Sequence, residues 1–454
     1  MDDFWTGVGV DLHLEPDAAD GRRSGLERAL RDAIREGRLA PGTRLPATRR
    51  LAADLGVSRG TTKAAYDQLV AEGYLTARQG SGTRVAPLPP SPDAGAPQVH
   101  ARARAPRLDL RPGSPDVGAF PAAAWLRALR RAIATAPSLA YDYGDPRGRI
   151  ELRTALSGYL GRARGVLAPP ERIVITSGYV QGLALLTRVL EGAAVAMEDP
   201  GLPFHREVVR RNGGTVLPVP VDARGVRPEE LGDAAAVVVT PAHQYPTGVT
   251  LHPERRRALG DWARARGGLI VEDDYDGEFR YDRQPVGALQ GMAPGQVVYL
   301  GTASKTLGPA LRLGWMVLPA HLVDAVADAK LHSDHHTETI GQLALAELIG
   351  SHAYDRHVRA CRLRYRRRRD QLLDRLGAGR SVHGIAAGLH ALIDVPDEAE
   401  VLARAEAEGL AVGALGAHWH GPAEGRPQGL VVGYGTPRER VYPEALEVLA
   451  KVLG

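Results

Sequence analysis

Lys305 lies in a short polar segment that directly follows an apolar run, and its neighbours are residues that can hold a phosphate group. The run 296–300 is bounded by glycines and predicts a buried strand. The hydroxyls of Thr302 and Ser304, with Arg312 seven positions after the lysine, can bind a phosphate dianion through charge-assisted hydrogen bonds. The lysine amine can condense with an aldehyde. The segment therefore fits pyridoxal phosphate (PLP), which carries both groups, although a solvated lysine beside serine and threonine gives the same pattern.

A second segment, 268–279, supplies the acid that such a cofactor needs. Strand 269–271 runs into a cluster of acids that includes a tyrosine. The PLP ring acts as an electron sink only while its nitrogen is protonated, and a carboxylate at a strand end keeps it so. Asp273 is the candidate for this contact, and Tyr275 is placed to reach the ring hydroxyl. A strand followed by an acid, then a strand followed by a lysine, resembles the order found in fold-type I aminotransferases.

The elements that position these residues belong to a chain of 454 residues, which is too long for one core and predicts about two or three domains. The single cysteine, Cys361, excludes an internal disulfide framework and fits a reducing compartment. The first residues include two early acids and no basic segment before an apolar run, so no signal peptide is expected. No apolar run approaches ~20 residues, so we expect no membrane span and a cytoplasmic location.

The charge of the chain is unevenly distributed. Residues 21–85 contain thirteen Lys and Arg against six Asp and Glu, a balance of +7, whereas the whole chain carries +4. The remainder is therefore slightly acidic. This asymmetry predicts a polyanion-binding module attached to a nearly neutral body.

The basic segment also has the pattern of a helix-turn-helix. An apolar stripe in 26–34 predicts a first helix, and a second helix begins near Thr48 and ends at Gly56. Ser58 is expected to cap a third helix that runs to about Glu72. Two short helices around a glycine turn can place the second of them in a DNA major groove. Residues 74–85 then predict two short strands with a glycine-rich tip, which is a wing.

The run 37–86 resembles the winged-helix domain of the GntR regulators over almost its whole length. The resemblance implies double-stranded DNA as a partner. It places Arg49 before the recognition helix and further contacts at the start of that helix and at the wing tip, while leaving open which of them contact bases and which contact phosphate. The implied DNA-binding residues are Arg49, Arg59, Thr61, Thr62, Gln79 and Gly80.

A large α/β body follows a linker rich in proline, alanine and glycine. Apolar strands alternate with helices and end in polar loops, which predicts a mostly parallel, doubly wound sheet with its ligand at the carboxyl edge. One strand, 173–175, leads through Gly178 and Tyr179 into a helix whose first amides can bind an anion. From about His321 the pattern becomes helical, including a long amphipathic helix with a solvated arginine face. The last ~70 residues predict a small α+β subdomain.

Taken together, residues 24–452 resemble the MocR subfamily of GntR regulators, in which a winged helix is joined to an aminotransferase-like domain. The strongest marks are SRGTTKAAYDQLVAEGYL, HQYPTG, EDDYDGEFRY and SKTLGPALRLG. The predicted domains are an N-terminal extension 1–23, a winged helix-turn-helix 24–86, a linker 87–107 and a fold-type I aminotransferase-like PLP-binding domain 108–454.

The resemblance assigns roles to individual residues. It implies that Lys305 forms an imine with PLP and that Asp273 pairs with the pyridinium. In a homodimer, Tyr143 would contact the phosphate held by the neighbouring chain. The remaining implied cofactor contacts are Tyr275 at the ring hydroxyl, Tyr245 before the Pro-Thr-Gly, and Gly178, Tyr179, Thr302, Ser304 and Arg312 at the phosphate.

The chain departs from the family pattern at several positions. Leu202 stands where many members have a tyrosine that stacks on the ring, leaving Phe204 and His205 as substitutes, and Val180 interrupts the SGxQQ pattern. Strand 429–435 lacks the arginine with which transaminases bind an amino-acid carboxylate. Efficient transamination and recognition of an amino acid by the usual clamp are therefore not expected, which favours sensing of PLP itself.

Three hypotheses follow for the function. The first is a transcription factor that senses PLP or an amine effector at Lys305, and the second is an aminotransferase that carries a DNA-binding domain. The third is a DNA-binding protein whose larger domain has lost the cofactor. Two histidine groups, 332–336 and 418–420, lack acidic or cysteine companions at ligand spacing, so we expect no metal site.

Overall fold

The computed structural model describes residues 21–78, 82–87, 106–282, 286–377, 379–422 and 424–454. The chain forms two compact units, Met1–Ala103 and Arg104–Gly454. Within the described residues, no helix is long and apolar enough to cross a membrane.

The first unit contains the three helices and the wing that the sequence predicts. Ser58 caps the third helix, and its Oγ accepts a hydrogen bond from the Thr61 amide at 3.0 Å. The apolar stripe of the first helix is buried against the third, and Gly56 ends the second helix region with a φ of 62°. The elements are α1 (Arg22–Arg35), α2 (Thr48–Asp54), α3 (Arg59–Ala71), β1 (Leu75–Arg78) and β2 (Gly82–Val85), the two strands pairing antiparallel.

The second unit begins with a short strand and then alternates helices with strands, as the periodicity predicts. Its first half contains β3 (Leu108–Asp109), α4 (Ala122–Thr135), α5 (Ile150–Arg164), β4 (Ile173–Thr176), α6 (Tyr179–Val189), β5 (Ala194–Asp199), α7 (Pro203–Arg211), β6 (Thr215–Asp222), β7 (Gly225–Val226), β8 (Ala236–Val239), α8 (Pro253–Arg266), β9 (Leu269–Asp274) and β10 (Val297–Thr302).

The second half of this unit becomes mainly helical before it forms a small α+β layer. It contains β11 (Gly314–Val317), α9 (Val323–Asp334), α10 (Thr339–Gly350), α11 (Ala353–Leu376), β12 (Val382–His383), β13 (His390–Asp394), α12 (Glu398–Ala407), β14 (Leu410–Ala411), β15 (Gly413–Ala414), β16 (Gly429–Gly433) and α13 (Tyr442–Leu453).

A sheet of eight described strands forms the centre of the second unit. Its order is β4-β11-β10-β9-β8-β5-β6-β7, and the pairs from β10 to β6 are all parallel. Strand β11 runs antiparallel to both of its neighbours, and β7 is antiparallel to β6. The central strands are buried on both faces because helices cover them, which explains their continuous apolar runs. The carboxyl ends of β5, β8, β9 and β10 therefore meet at one edge.

The C-terminal layer is an antiparallel sheet, β12-β13-β16-β15, packed with α11, α12 and α13. Helix α11 is only partly a solvated arginine face. Arg368 is 0% exposed and donates a 2.8 Å hydrogen bond to Asp116, with further bonds to Glu439 and to the carbonyl of Pro437. The prediction was wrong for this residue because its partners are distant in sequence.

Candidate functional site

The site forms where the parallel strands end. Asp273 is the fifth residue of β9 and pairs in register with Leu300 of β10, so the carboxylate lies beside the segment that leads to Lys305. Thr302 is the last residue of β10, and Glu198 lies near the end of β5 on the same sheet. The topology thus brings together residues that are about 30 to 100 positions apart in sequence, as expected at the carboxyl edge of an open α/β sheet.

These strand ends surround a cavity of about 330 Å³. The residues around it come from both halves of the second unit. They include the predicted Lys305, Asp273, Tyr275, Tyr179, Tyr245, Thr302, Ser304 and Arg312, together with Pro112, Gly113, Val180, Met197, Glu198, Gly201, Leu202, His205, Arg206, Val238, Thr240, Pro309, Leu389 and His390.

Lys305 lies three residues beyond β10, and its Nζ donates a hydrogen bond to the carbonyl of Gly113. Burial lowers the pKa of this amine, and the charges of Asp273 and Asp276 oppose the shift without cancelling it. A lowered pKa increases the neutral fraction, which is the form that attacks an aldehyde.

Asp273 and the hydroxyl of Tyr179, which the resemblance assigned to the phosphate, interact with each other and suit a pyridine nitrogen. Burial raises the pKa of Asp273 well above its ordinary range, and the nearby carboxylates of Asp274, Asp276 and Glu198 add to the shift while Lys305 opposes it. A protonated ring nitrogen would supply the missing positive charge. Among the described residues, the buried Tyr179 hydroxyl has no hydrogen-bond partner of ordinary geometry, although burial and then Asp273 raise its pKa. These two groups fit a cofactor with a ring nitrogen.

Gly178 and Arg312 form a second part of the site, with a chemistry that would suit a phosphate. Gly178 precedes α6 with a φ of 118°, a conformation that residues with a side chain rarely adopt. A Cβ on Gly178 would lie 3.3 Å from the guanidinium nitrogens of Arg312. The Thr302 hydroxyl donates to Ser304 Oγ at 2.8 Å and accepts from the Ser304 amide at 3.1 Å, which fixes both hydroxyls. Arg312 is exposed and forms no ion pair with any described carboxylate, so its charge is available to an anion.

A buried imidazole cluster that the sequence analysis missed lies behind Tyr275. The Tyr275 hydroxyl donates to the His243 carbonyl at 3.0 Å, and His243 Nδ1 lies 2.8 Å from Asp276 Oδ2. His390 lies with its ring centroid 4.8 Å from that of His243. In the sequence, only His243 of the HQYPTG motif pointed to this cluster. Its partners could not be found there, because His390 comes from β13 and Asp276 from the loop after β9.

The first turn of α7 contains the two candidates for the missing ring-stacking tyrosine, Phe204 and His205. Phe204 is 59% exposed, whereas His205 lines the cavity and stacks on Tyr179 with ring centroids 4.4 Å apart. Burial, and then the charge of Lys305, lower the pKa of His205 to about 3, so the ring is neutral. Leu202 also lines the cavity. His205, and not Phe204, is therefore placed to contact a bound ring.

Tyr143 lies outside this cavity. Its side chain is 78% exposed, and its ring contacts His335 at a centroid distance of 4.9 Å.

The winged helix presents some of the predicted DNA contacts and excludes one. Arg49 and Arg59 are exposed and form no ion pair with a described carboxylate, and Thr61 is half-buried with its hydroxyl 2.8 Å from Ser58 Oγ. Thr62 is 0% exposed, because it faces the interior of the unit. The structure therefore corrects the prediction for Thr62, which is a packing residue. Gln79 and Gly80 lie outside the described residues.

The recognition helix α3 carries a further exposed cation, Lys63, that the sequence analysis did not name. Lys63 follows Arg59 by four positions on α3, which places both on one helical face. Its amine lies 2.5 Å from Asp67. The four-residue spacing of Arg59 and Lys63 was the feature of the sequence that could have indicated this shared face.

The fold and the site together define a class of protein, one in which a winged-helix DNA-binding unit precedes an aminotransferase-like unit. Two family profiles match the chain accordingly: "Bacterial regulatory proteins, gntR family" over residues 23–85 and "Aminotransferase class I and II" over residues 108–414. The chain belongs to the MocR subfamily of the GntR regulators. Its GntR-type domain is fused to a fold-type I domain of the PLP-dependent aminotransferase family.

Several curated regulators are similar over most of their length. The pyridoxine biosynthesis transcriptional regulator PdxR of Corynebacterium glutamicum is 35% identical over 439 residues, covering 95% of each chain. The regulator TauR of Rhodobacter capsulatus is 34% identical, covering 96% of this chain and 98% of TauR. The probable rhizopine catabolism regulatory protein MocR of Rhizobium meliloti is 36% identical, covering 79% and 77% of the two chains.

Among solved structures, the second unit is similar to aminotransferases. The kynurenine aminotransferase of Pyrococcus horikoshii aligns with a TM-score of 0.69 and 27% identity, covering 76% of this chain and 90% of the enzyme. An aspartate aminotransferase of Thermus thermophilus aligns with a TM-score of 0.65 and 27% identity, covering 76% and 91%. The predicted fold class is confirmed.

Proposed function

We propose that this protein is a PLP-dependent transcriptional regulator whose DNA affinity depends on the occupancy of the cavity around Lys305. The observation that carries the proposal is the arrangement of Lys305, Asp273 and Arg312 around one cavity, with Gly178 against Arg312, in a chain that also carries a recognition helix. PLP, when bound, supplies a reactive aldehyde and an electron-withdrawing ring.

The residues of the chain divide the work of holding such a cofactor. Lys305 offers a partly neutral amine, and Asp273 offers a carboxylate for the ring nitrogen. Arg312, Thr302, Ser304 and the first amides of α6 surround the phosphate position. Tyr275, whose hydroxyl donates to the His243 carbonyl, lines the cavity as the candidate neighbour of the ring hydroxyl, and His205 would cover one face of the ring.

We propose that the regulator acts as a homodimer and that Tyr143 contributes to the site of the neighbouring chain. Tyr143 is well exposed and does not line the cavity of its own chain, and several apolar residues close to it in sequence are exposed as well. Two-fold symmetry would match paired operator half-sites. These exposed apolar residues are Leu126, Ile133, Leu139, Tyr141 and Ile150.

A selection on genomic DNA tests the regulatory function and identifies the operator in the same experiment. Fragments of the source genome are incubated with the purified protein, with and without PLP, and bound fragments are sequenced. We expect a small enriched set whose affinity changes about tenfold or more with PLP, a coupling of usual allosteric size. Lys305→Ala should enrich the same fragments and lose the response to PLP. Absence of any enriched fragment with the wild-type protein would contradict the proposal.

The alternative function is an aminotransferase that carries a DNA-binding domain, since the Lys305, Asp273 and Arg312 set is complete. Against it, every residue of β16 is buried and apolar or glycine, so this strand offers no arginine for a substrate carboxylate. Turnover of an amino donor with a keto acid at ~1 to 10³ per second would favour the enzyme. A protein that reacts with the amino donor but does not complete the second half-reaction with the keto acid would favour the regulator.

A further inference from the structure

A second cavity lies at the opposite edge of the central sheet from the cofactor cavity. It has a volume of about 210 Å³ and lies between α8, the starts of β9 and β10, and the segment 289–293. Val297, the first residue of β10, lines this cavity, whereas Thr302, the last residue of the same strand, lines the cofactor cavity. At ~3.3 Å per residue the two positions are about 16 Å apart, so the cavities are separate.

One side of this second cavity is apolar. Ile270, Leu289, Ala293 and Val297 line it, are at most 7% exposed and belong to one hydrophobic cluster. Met292 also lines the cavity and is 56% exposed. Aliphatic side chains offer dispersion contacts and no hydrogen bonds, so this side suits the apolar part of a ligand.

The side formed by α8 is basic. Arg256, Arg257 and Arg264 line it, and among the described residues the one acid beside them is Asp261. Asp261 forms an ion pair with Arg264, so its charge is already compensated. Arg257 is exposed and forms neither an ion pair nor a hydrogen bond with any described side chain. The guanidiniums of Arg256 and Arg257 therefore remain for an anion.

Arg256 is buried without a counter-ion. It is 8% exposed, and its Nη2 donates to the Gly287 carbonyl at 2.5 Å. Its Nε and Nη1 form no hydrogen bond within the described part of the chain, yet neither is sealed from solvent. Glu272, the acid that acts on it most strongly, accepts instead from the amides of Leu289 and Gln290 at 2.8 and 3.0 Å. A buried arginine stays charged, so an anion in the cavity would stabilise it.

We propose that this cavity is a second ligand site, which binds a small organic carboxylate with an apolar body. The two free guanidiniums donate to the carboxylate oxygens, a pairing that their planar geometry favours. The apolar body lies against Ile270 and Val297. This apolar side disfavours a sugar phosphate, whose hydroxyls would lose their hydrogen bonds to water there. The inference does not rest on the proposed function, because no described residue lines both cavities.

Isothermal titration calorimetry on the PLP-loaded full-length protein tests the proposal. The probes are benzoate and hexanoate, each compared with its uncharged amide, benzamide or hexanamide. Acetate and inorganic phosphate serve as anions that lack the apolar body. We expect at least one of the two probe carboxylates to bind about tenfold or more tightly than its amide, because hydrogen bonds to charged groups contribute this much. The same carboxylate should also bind more tightly than acetate and phosphate.

Three substitutions and one control locate the binding. Arg257→Gln should lower the preference for the carboxylate about threefold, since the removed charge is exposed. Arg256→Lys keeps the charge but loses the planar donors, so it should lower the preference too. Gly260→Leu should block carboxylate and amide alike, because Gly260 lines the cavity and a Cβ there would first meet the Arg264 guanidinium, at 3.5 Å. Arg266→Gln, at the exposed end of α8 outside the cavity, should change neither affinity.

The opposite outcomes overturn the proposal. No binding of either probe carboxylate at about 10 mM would exclude the site. Equal affinity for carboxylate and amide, or a preference unchanged in both arginine variants, would remove the arginines from recognition. Equal affinity for acetate or phosphate would remove the apolar side. Carboxylate binding that persists in Gly260→Leu would place the ligand elsewhere, the cofactor cavity included.

Two further measurements keep these outcomes distinct. A thermal melt of each variant reports whether it is folded, and Arg257→Gln with Gly260→Leu decides the question if Arg256→Lys does not fold. Wild-type protein without a PLP absorbance band would contradict the proposed function alone, and the titrations would then be carried out without PLP.

Discussion

Gly178 and Arg312 come into close contact where β4 leads into α6 and the chain turns back from Lys305. A Cβ atom on Gly178 would lie 3.3 Å from both terminal nitrogens of Arg312, and Arg312 itself adopts the left-handed conformation with φ 53° and ψ 45°. Such backbone conformations in residues other than glycine concentrate at functional sites. The pair brings a guanidinium to the first amides of α6, which is the arrangement that a phosphate requires.

Gly178→Ala should therefore weaken PLP binding. Alanine is strained at the φ of 118° that Gly178 adopts, and its methyl group would displace the Arg312 guanidinium. We therefore expect the PLP dissociation constant to increase about tenfold or more, equivalent to ~1–2 kcal/mol. Gly267→Ala is the control, because Gly267 also has a positive φ but no atom lies within 4 Å of the position that its added methyl group would take. Equal PLP affinity in Gly178→Ala and wild type, measured by absorbance titration, would contradict a phosphate site at Gly178 and Arg312.

Arg59→Ala should weaken operator binding without changing PLP uptake. Arg59 begins α3, is exposed and forms no ion pair with a described carboxylate, so its charge is available to DNA. Loss of one such contact costs about 1–3 kcal/mol, an effect that fluorescence anisotropy on a selected fragment resolves. An unchanged operator affinity would remove Arg59 from the DNA-contacting surface.

Thr62→Val should leave DNA affinity unchanged. Thr62 is fully buried, and among the described residues its hydroxyl has no hydrogen-bond partner. Replacing a buried unpaired hydroxyl by a methyl group is expected to maintain the free energy of unfolding or raise it by about 1 kcal/mol. A loss of operator affinity comparable to that of Arg59→Ala would show that the side chain reaches DNA after all.

The sequence predicted the helix-turn-helix and the order of strands because each depends on local signals: apolar periodicity, a serine cap and glycine turns. It also located Lys305 and Asp273, since the ends of neighbouring parallel strands share an edge. It could not predict the burial of Arg368, whose partner Asp116 is 252 positions away, or the pairing of His243 with Asp276, 33 positions away. Side-chain pairing between distant segments depends on tertiary packing, which periodicity does not encode.

The stabilisation that Glu198 contributes to the cofactor-free protein should fall as pH rises from about 5 to about 7. Burial raises the pKa of Glu198 from its ordinary value of 4.5 to about 7, with hydrogen bonds from Thr240 and Gln244 opposing the shift. A carboxyl whose pKa is raised by folding contributes its stabilisation fully below the unfolded pKa and loses it as pH rises through the folded pKa. For Glu198 this amounts to on the order of 1–3 kcal/mol.

Glu198→Gln provides the matched variant for that pH dependence. All three hydrogen bonds to Glu198 reach the same oxygen, Oε2, so a glutamine oxygen can accept them. Urea unfolding at pH 5 and pH 7.5 should give a smaller decrease for the variant than for the wild-type protein. The same decrease in both proteins would mean that Glu198 is not the group that titrates.

The most direct measurement is the visible absorption spectrum of purified protein with added PLP, recorded beside Lys305→Ala. The structure predicts a band of covalently bound cofactor in the wild-type protein that is absent from the variant, because the Lys305 amine, whose pKa burial lowers, lines the same cavity as the Asp273 carboxylate. Glu198→Gln and Arg59→Ala should retain the band. Free PLP alone in the wild-type spectrum would contradict the account, since the second unit would then be a scaffold without a cofactor and only the DNA-binding unit would retain a function.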